Sequence, residues 1–290
     1  MNYYIVIPAH NEADFISLTL DSIVTQTILP KLVVVVNDNS TDNTEGIIGE
    51  YVKKHPFISL INNQSGAEHL PGSKVIQAFH KGLNTLDTSY DFIVKLDADI
   101  ILPNNYFETL IHHFNADEKV GMVGGFAYIE KNGKWFLENL TNKDHIRGAF
   151  KAYRKQCFLD IGKLKPSMGW DTVDELLAQY HGWKIKTDET LKAKHLKPTG
   201  KTYNKAARYK QGEAFYKLDY GFLLTIIAST KLALLKKQPL LLIEYLRGYF
   251  KASKNNTLKL VNKQEGAFIR RHRWKGIKSK LGIKQQGTTY

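Results

Sequence analysis

Only one cysteine, Cys157, occurs in the 290 residues. A single thiol excludes a disulfide framework and a cysteine-rich zinc site. It fits a reducing compartment, where a lone thiol serves as packing material. No segment approaches the roughly 18 uninterrupted apolar residues that a membrane-spanning helix needs. Met1-Asn2-Tyr3-Tyr4 leads directly into a strand-like run without the charged-then-apolar pattern of a leader, so the expected location is cytoplasmic. Repeats and low-complexity tracts are absent. Acids are also scarce, with 28 Asp and Glu against 41 Lys and Arg and a formal net charge of +13. The imbalance is greatest at the end: from Lys251 onward, eleven Lys or Arg face one acid, Glu265. Such a tail favours a polyanionic surface, either nucleic acid or anionic lipid. The chain has no helix-turn-helix, zinc or aromatic-rich RNA motif, so nucleic acid is not expected as a partner.

What is present is an ordinary globular composition, 43% hydrophobic and 24% charged, of a length that suits one large domain or one domain with an appendage. The most informative segment is Phe92-Ile93-Val94-Lys95-Leu96-Asp97-Ala98-Asp99. It reads as a buried strand that ends on two carboxylates. Two uncompensated carboxylates a few residues apart repel, and one tends to protonate. A divalent cation removes that cost, and hard oxygen ligands suit Mg²⁺ or Mn²⁺ with positions left for phosphate oxygens.

Similar apolar runs occur at Tyr3–Ile7, Leu32–Val36 and Phe57–Ile61. Between them lie stretches with helical spacing: Phe15 to Val24, Ile47 to Val52, and Val75 to Leu83. Alternating strands and helices predict an α/β fold with a mostly parallel sheet flanked by helices. In such sheets ligands bind beyond the C-terminal strand ends. That rule brings Pro8-Ala9-His10-Asn11-Glu12, Asn37 to Asp42 and Asp97-Ala98-Asp99 to one rim. Further on, Val120–Gly125 reads as a strand, Ala149–Ile161 as containing a helix, and Gly169-Trp170-Asp171 as the opening of a short helix ending near Gly182. Leu218–Leu235 and Leu240–Phe250 read as two apolar helices joined by Lys236-Lys237-Gln238-Pro239. The expected organisation is a catalytic domain over 1–200 and a helical, basic extension over 201–290.

Four ordered blocks resemble the family 2 glycosyltransferases of the GT-A fold: Ile7-Pro8-Ala9-His10-Asn11-Glu12, Val36-Asn37-Asp38-Asn39-Ser40-Thr41-Asp42, Asp97-Ala98-Asp99, and Asp171 ahead of Gly182-Trp183. The resemblance implies an inverting enzyme that moves a hexosyl or N-acetylhexosaminyl unit from a nucleotide diphosphate, UDP above all, to a saccharide or lipid-linked hydroxyl in cell-surface polysaccharide or glycolipid synthesis. It implies a role for each block. Asp38 would meet the nucleobase, Pro8, Ala9 and Glu12 the base and ribose, Asp97 the ribose or the nearby metal shell, and Ala98 the donor. Asp99 would bind Mn²⁺ or Mg²⁺, with His195 a further ligand as in some proteins of this fold. Lys74, after Gly72, would lie near the pyrophosphate. Asp171 would be the base, with Asp174 and Glu175 as alternates, and Trp170 would stack on an acceptor sugar. His10 and His145 receive no role.

Two other readings compete. A nucleotidyltransferase that makes sugar nucleotides would want a glycine-rich, basic loop after the first strand, which Pro8–Glu12 does not offer. A basic nucleic-acid- or membrane-binding protein without catalysis would account for the charge but not for the acids. In the tail, Arg270-Arg271-His272-Arg273-Trp274-Lys275 with Phe268 and Ile269 matches an interfacial element, which predicts peripheral attachment to the inner face of a membrane.

Overall fold

The computed structural model describes residues 1–66, 72–138, 143–197 and 205–282. The chain divides into two compact units, Met1–Lys201 and Thr202–Tyr290. The domain boundary expected at 200, Pro71 and Pro198 lie outside the described residues.

The first unit runs β1 (Tyr3–Ala9), α1 (Ile16–Val24), β2 (Leu32–Asp38), α2 (Thr44–Lys54), β3 (Ile58–Asn63), α3 (Ser73–Leu83), β4 (Phe92–Leu96), β5 (Ile100–Ile101), α4 (Tyr106–Ala116), β6 (Val120–Lys131), β7 (Lys134–Leu137), β8 (Phe150–Arg154), α5 (Lys155–Asp160), α6 (Trp170–Tyr180) and β9 (Lys184–His195). The sheet order is β3-β2-β1-β4-β8-β6-β9-β5, with β7 added beside β6. β1, β2, β3 and β4 are mutually parallel. All seven residues of β1 and all five of β4, Lys95 among them, are buried, as strands are when helices cover both faces of a sheet. α1 closes one face through Ile16, Leu20 and Ile23, and Tyr3 stacks on Phe92 within the same core.

From β1 the chain steps outward to β2 and β3, then returns to β4 on the other side of β1. This reversal opens a crevice beyond the ends of β1 and β4, where the strand order places a ligand. The rest of the sheet is mixed. β8 is antiparallel to β4, β6 is antiparallel to β8, and β9 is parallel to β6. Ala149–Ile161 holds the helix expected there, the short α5, but a strand precedes it. β8 escapes a sequence reading because Lys151 interrupts its apolar run, although that lysine is buried.

The second unit holds α7 (Lys205–Lys217), α8 (Gly221–Leu235), α9 (Leu240–Lys254) and α10 (Lys263–Lys280). α7 and α9 touch backbone to backbone. A Cβ on Gly212 would lie 1.8 Å from Tyr245 O, and one on Gly248 would lie 2.0 Å from Tyr209 O. Asn262 begins α10 with a capping box: its side chain accepts from Gln264 N and Glu265 N, while Glu265 accepts from Asn262 N. Among the described residues no helix is long and apolar enough to cross a membrane.

Candidate active site

A cavity of about 570 Å³ opens at the crevice, lined by Pro8, Ala9, Glu12, Asp38, Lys74, Asp97, Ala98 and Asp99 among others. Every residue expected to bind the donor therefore meets in one cavity, and its volume is within the usual range for small-molecule sites.

Hydrogen bonds explain why so many small polar residues occur in the first two blocks. Asn11 N donates to Ser40 Oγ (3.0 Å), Thr41 N donates to Asn11 Oδ1 (2.7 Å), Glu12 N donates to Thr44 Oγ1 (2.8 Å) and Ala13 N donates to Asp42 Oδ2 (3.0 Å). These bonds lace the turn after β1 to the turn after β2. Asn11 and Asn39 adopt left-handed backbone angles, φ 53° and 55°, which asparagine tolerates better than most residues. His10 Nδ1 donates to Asp38 O at 2.6 Å, so this histidine, given no role from sequence, fastens the two loops. Asp38 is itself oriented: its Oδ1 accepts from Asn63 Nδ2 (2.8 Å) and Ser65 N (3.2 Å).

The Asp97–Asp99 turn is pinned from below. Thr19 Oγ1 donates to Ala98 O (2.8 Å) and accepts from Ile100 N (3.1 Å). β5 then pairs with β9 so that Ile100 faces His195, which brings His195 Nε2 to 3.5 Å from Asp99 Oδ2. Burial alone would lower the His195 pKa, but Asp99 and Glu138 outweigh it and raise the pKa to about 9. The two carboxylates thus favour the protonated ring, which must give up that proton before it can hold a metal. Burial also raises the Asp97 carboxyl, with Asp99 adding to the effect and the buried Lys95, paired to Asp97, opposing it. Glu12 rises to about 7 because it is buried, although Lys197 lies 2.5 Å away. Among the described residues no group of three or more His, Cys, Asp or Glu forms a complete metal cage. Asp99 and His195 instead supply an adjacent carboxylate–imidazole pair.

The expected base lies on α6, next to the cavity wall. Gly72, which lines the cavity, adopts φ +73°, and a Cβ on it would lie 2.8 Å from Ser167 O. Ser73 Oγ donates to Pro166 O at 3.0 Å. The loop leading into α6 is thereby held against the start of α3. Trp170 and Asp171 form the first turn of α6. The Trp170 ring is buried and packs near two lysines that are cross-strand neighbours on β4 and β8, with Lys95 Nζ 5.2 Å and Lys151 Nζ 5.9 Å from its centroid. Lys95 thus touches both Asp97 and the indole, linking the cavity to α6.

The three acids of α6 differ sharply in surroundings. Asp174 is buried, with Oδ2 accepting from Tyr153 OH (2.6 Å) and Lys151 Nζ (3.0 Å). Glu175 accepts from Ile146 N (2.9 Å), Lys151 Nζ (3.0 Å) and His145 Nδ1 (2.9 Å). The Asp171 side chain remains 37% exposed, with His145 Nε2 at 3.8 Å from its Oδ2. Lys151, fully buried, also donates to Asp171 O at 2.7 Å. Lys95, Lys151, Glu138 and Lys197 were not singled out in the sequence, where a charged residue reads as surface.

Removing one partner of a buried ion pair leaves a bare charge, which costs about 3–5 kcal/mol. Lys151→Met is therefore expected to lower unfolding stability by about that amount in urea titrations monitored by circular dichroism, because Asp174 and Glu175 lose their common cation.

A crevice at the strand-order reversal, acids at the tips of β1, β2 and β4, and a mixed extension to the sheet define the GT-A architecture of glycosyltransferases. The chain belongs to glycosyl transferase family 2, whose family model matches residues 4–165, more than half of its length. It is 25% identical over 237 residues to the poly-beta-1,6-N-acetyl-D-glucosamine synthase of Staphylococcus aureus (strain MSSA476), a match covering 71% of this chain and 53% of that protein. The chain thus spans about half the length of the curated relative it matches. Among solved structures, the mannosyltransferase PcManGT of Pyrobaculum calidifontis in complex with GDP-Man and Mn²⁺ aligns with TM-score 0.57 and 16% identity, over 97% of this chain and 83% of that one. The S. aureus TarS 1–349 complex with UDP-GlcNAc aligns with TM-score 0.55 and 17% identity, over 88% and 74%. At these identities the structural likeness is one of fold.

Proposed function

We propose that this chain is an inverting glycosyltransferase that moves a hexosyl or N-acetylhexosaminyl unit from a UDP-sugar to a hydroxyl of a saccharide or lipid-linked acceptor, in the synthesis of a cell-surface polysaccharide or glycolipid. The observation that carries this reading is the convergence of Glu12, Asp38, Asp97 and Asp99 on one cavity that also holds Lys74. Lys197 and Lys95 already pair with Glu12 and Asp97, which leaves Asp99, beside His195, as the acid that favours a cation, and a lysine at the start of α3 favours a phosphate. Asp38, already oriented by Asn63 and Ser65, serves the nucleobase, and Pro8, Ala9 and Glu12 flank base and ribose.

Asp99 and His195 would hold Mn²⁺ or Mg²⁺. Ions of this kind commonly take one or two protein ligands and complete their shell with phosphate oxygens and water, which agrees with a pair of donors rather than a closed cage. Bound there, the ion would supply charge neutralisation for the departing diphosphate. The remaining work belongs to side chains. Asp171 accepts the proton of the acceptor hydroxyl as that oxygen attacks the anomeric carbon. The bond from the anomeric carbon to the diphosphate oxygen breaks, its electron pair leaves with the nucleoside diphosphate, and the anomeric configuration inverts. The burial of Asp174 and Glu175 favours Asp171 among the three acids. Trp170, expected to stack on an acceptor sugar, is instead buried, 7% exposed and packed against Gly148 and near Lys95 and Lys151, so it shapes the wall beneath Asp171 and presents no open face to an acceptor ring. The basic second unit favours a location at the inner face of a membrane, where lipid-linked acceptors reside.

The test is a screen of UDP- and GDP-sugars with Mn²⁺, reading nucleoside diphosphate release. Turnover confined to one or two UDP-sugars is the expected result. Release from no nucleotide sugar, with or without acceptors, would contradict the proposal.

A further inference from the structure

The second unit exposes an unusual amount of apolar surface in one place. Leu234, Leu235 and Leu240 are 72%, 67% and 70% exposed, and Phe222, Leu223, Ile243 and Phe250 are exposed as well. All seven lie on α8, on α9 or at their junction. α8 has apolar residues on every side and a single charged one, the exposed Lys231, a composition closer to that of a fully buried helix than of a surface one. Here only part of it is covered, and Leu223, Ile227, Thr230 and Leu234, spaced for one helix face, are exposed or half-buried.

α9 shows how that face is finished. Leu240, Ile243, Arg247, Phe250, Lys251 and Lys254 fall within about 100° of helix arc, and all six are exposed. The opposite side is buried through Leu241, Tyr245, Gly248 and Ala252. The turn between the helices adds Lys236 and Lys237, so residues 221–255 carry six Lys or Arg and one acid, Glu244. Leucine and phenylalanine interleaved with lysine and arginine on one exposed face suit the boundary between acyl chains and anionic headgroups. Long basic side chains reach outward while the apolar ones enter.

The tail fits this role less well. In α10, Ile269 is buried and Phe268 and Trp274 are half-buried. Its basic residues also have work inside the unit: Arg270 Nη1 donates to Asp219 O at 2.8 Å and pairs with the Asp219 carboxylate, and Arg273 Nε donates to Tyr220 OH at 2.9 Å. The run expected from sequence to meet lipid is thus largely committed to packing.

We propose that the α8–α9 hairpin is the membrane-seating element of this protein, inserting Leu234, Leu235 and Leu240 among the headgroups of an anionic bilayer. The inference rests on the reading of the protein as membrane-attached and names the surface responsible.

The experiment is co-sedimentation of the full chain with phosphatidylcholine vesicles and with vesicles containing phosphatidylglycerol, at two salt concentrations. Three proteins are compared: the natural sequence, the triple variant Leu234→Ser, Leu235→Ser, Leu240→Ser, and the α10 variant Arg271→Gln, Lys275→Gln, Lys278→Gln. These positions are exposed, and matching thermal melts would establish that all three proteins fold. The expected result is binding of the natural protein to the anionic vesicles, a loss of at least tenfold in the leucine variant, and less than a threefold change in the α10 variant. A leucine variant that still binds, while the α10 variant does not, would overturn the hairpin assignment and leave membrane attachment standing. No binding of the natural protein would overturn both. A dimer that the leucine substitutions convert to monomer, without any effect on vesicles, would make the face a contact between two copies and overturn the proposal.

Discussion

Asp171→Asn is expected to bind UDP as the natural protein does and to lose turnover by about 10²–10⁴-fold, the range contributed by a positioned general base. The geometry separates these two effects. Asp171 is absent from the cavity that collects Pro8, Glu12, Asp38 and Asp99, so the donor loses no contact. The amide keeps the shape of the acid and cannot accept the acceptor proton at neutral pH. Asp174→Asn is the informative companion. Its carboxylate is committed to Lys151 and Tyr153, so its loss should first appear as reduced stability. UDP affinity by calorimetry and kcat with a fixed donor would resolve the two cases. Normal kcat in Asp171→Asn would assign the base elsewhere.

Asp99→Ala is expected to weaken Mn²⁺-dependent UDP binding by on the order of a hundredfold, about 2.7 kcal/mol. Two effects compete at this site. Deleting the carboxylate removes a metal donor, but it also relieves repulsion on Asp97 and Glu12, both of which Asp99 pushes upward. The first should dominate, because the carboxylate is the hard oxygen donor of the pair and a lone imidazole is a poor seat for a hard cation. The variant should also bind UDP equally with and without Mn²⁺. Titrations in the presence of Mn²⁺ and of a chelator measure both quantities.

Much of the catalytic half was legible in the sequence. Tyr3–Ile7 and Leu32–Val36 are continuous apolar runs, and Phe92–Leu96 one broken only by Lys95, because helices cover both faces, and each ends at the polar cluster that lines the crevice. The Asp97-Ala98-Asp99 pair, Asp38 and Glu12 were recognisable because a strand tip is where such a sheet presents chemistry. The antiparallel part was hidden for a physical reason. β9 reads Lys-Ile-Lys-Thr-Asp-Glu-Thr-Leu-Lys-Ala-Lys-His, and its lysines at 184, 186, 192 and 194 are exposed or half-buried while Leu191, Ala193 and His195 turn inward. Only pairing with β6 and β5 makes that strand apparent. Buried lysines were equally invisible: nothing local shows that Lys151 points at acids brought in by α6, or that Lys95, two residues from its partner Asp97, is buried. The lacing of Asn11 to Ser40 and Thr41 could not be separated from ligand contact either, since small polar residues serve both purposes.

The central claim is that a cation held by Asp99 links this cavity to a nucleotide diphosphate. Calorimetric titration of the natural protein with UDP, once with Mn²⁺ and once with a chelator, tests it most directly. Saturable binding that requires Mn²⁺ and is competed by a UDP-sugar is the predicted result; UDP affinity that is the same without the ion, or no binding at all, would contradict it.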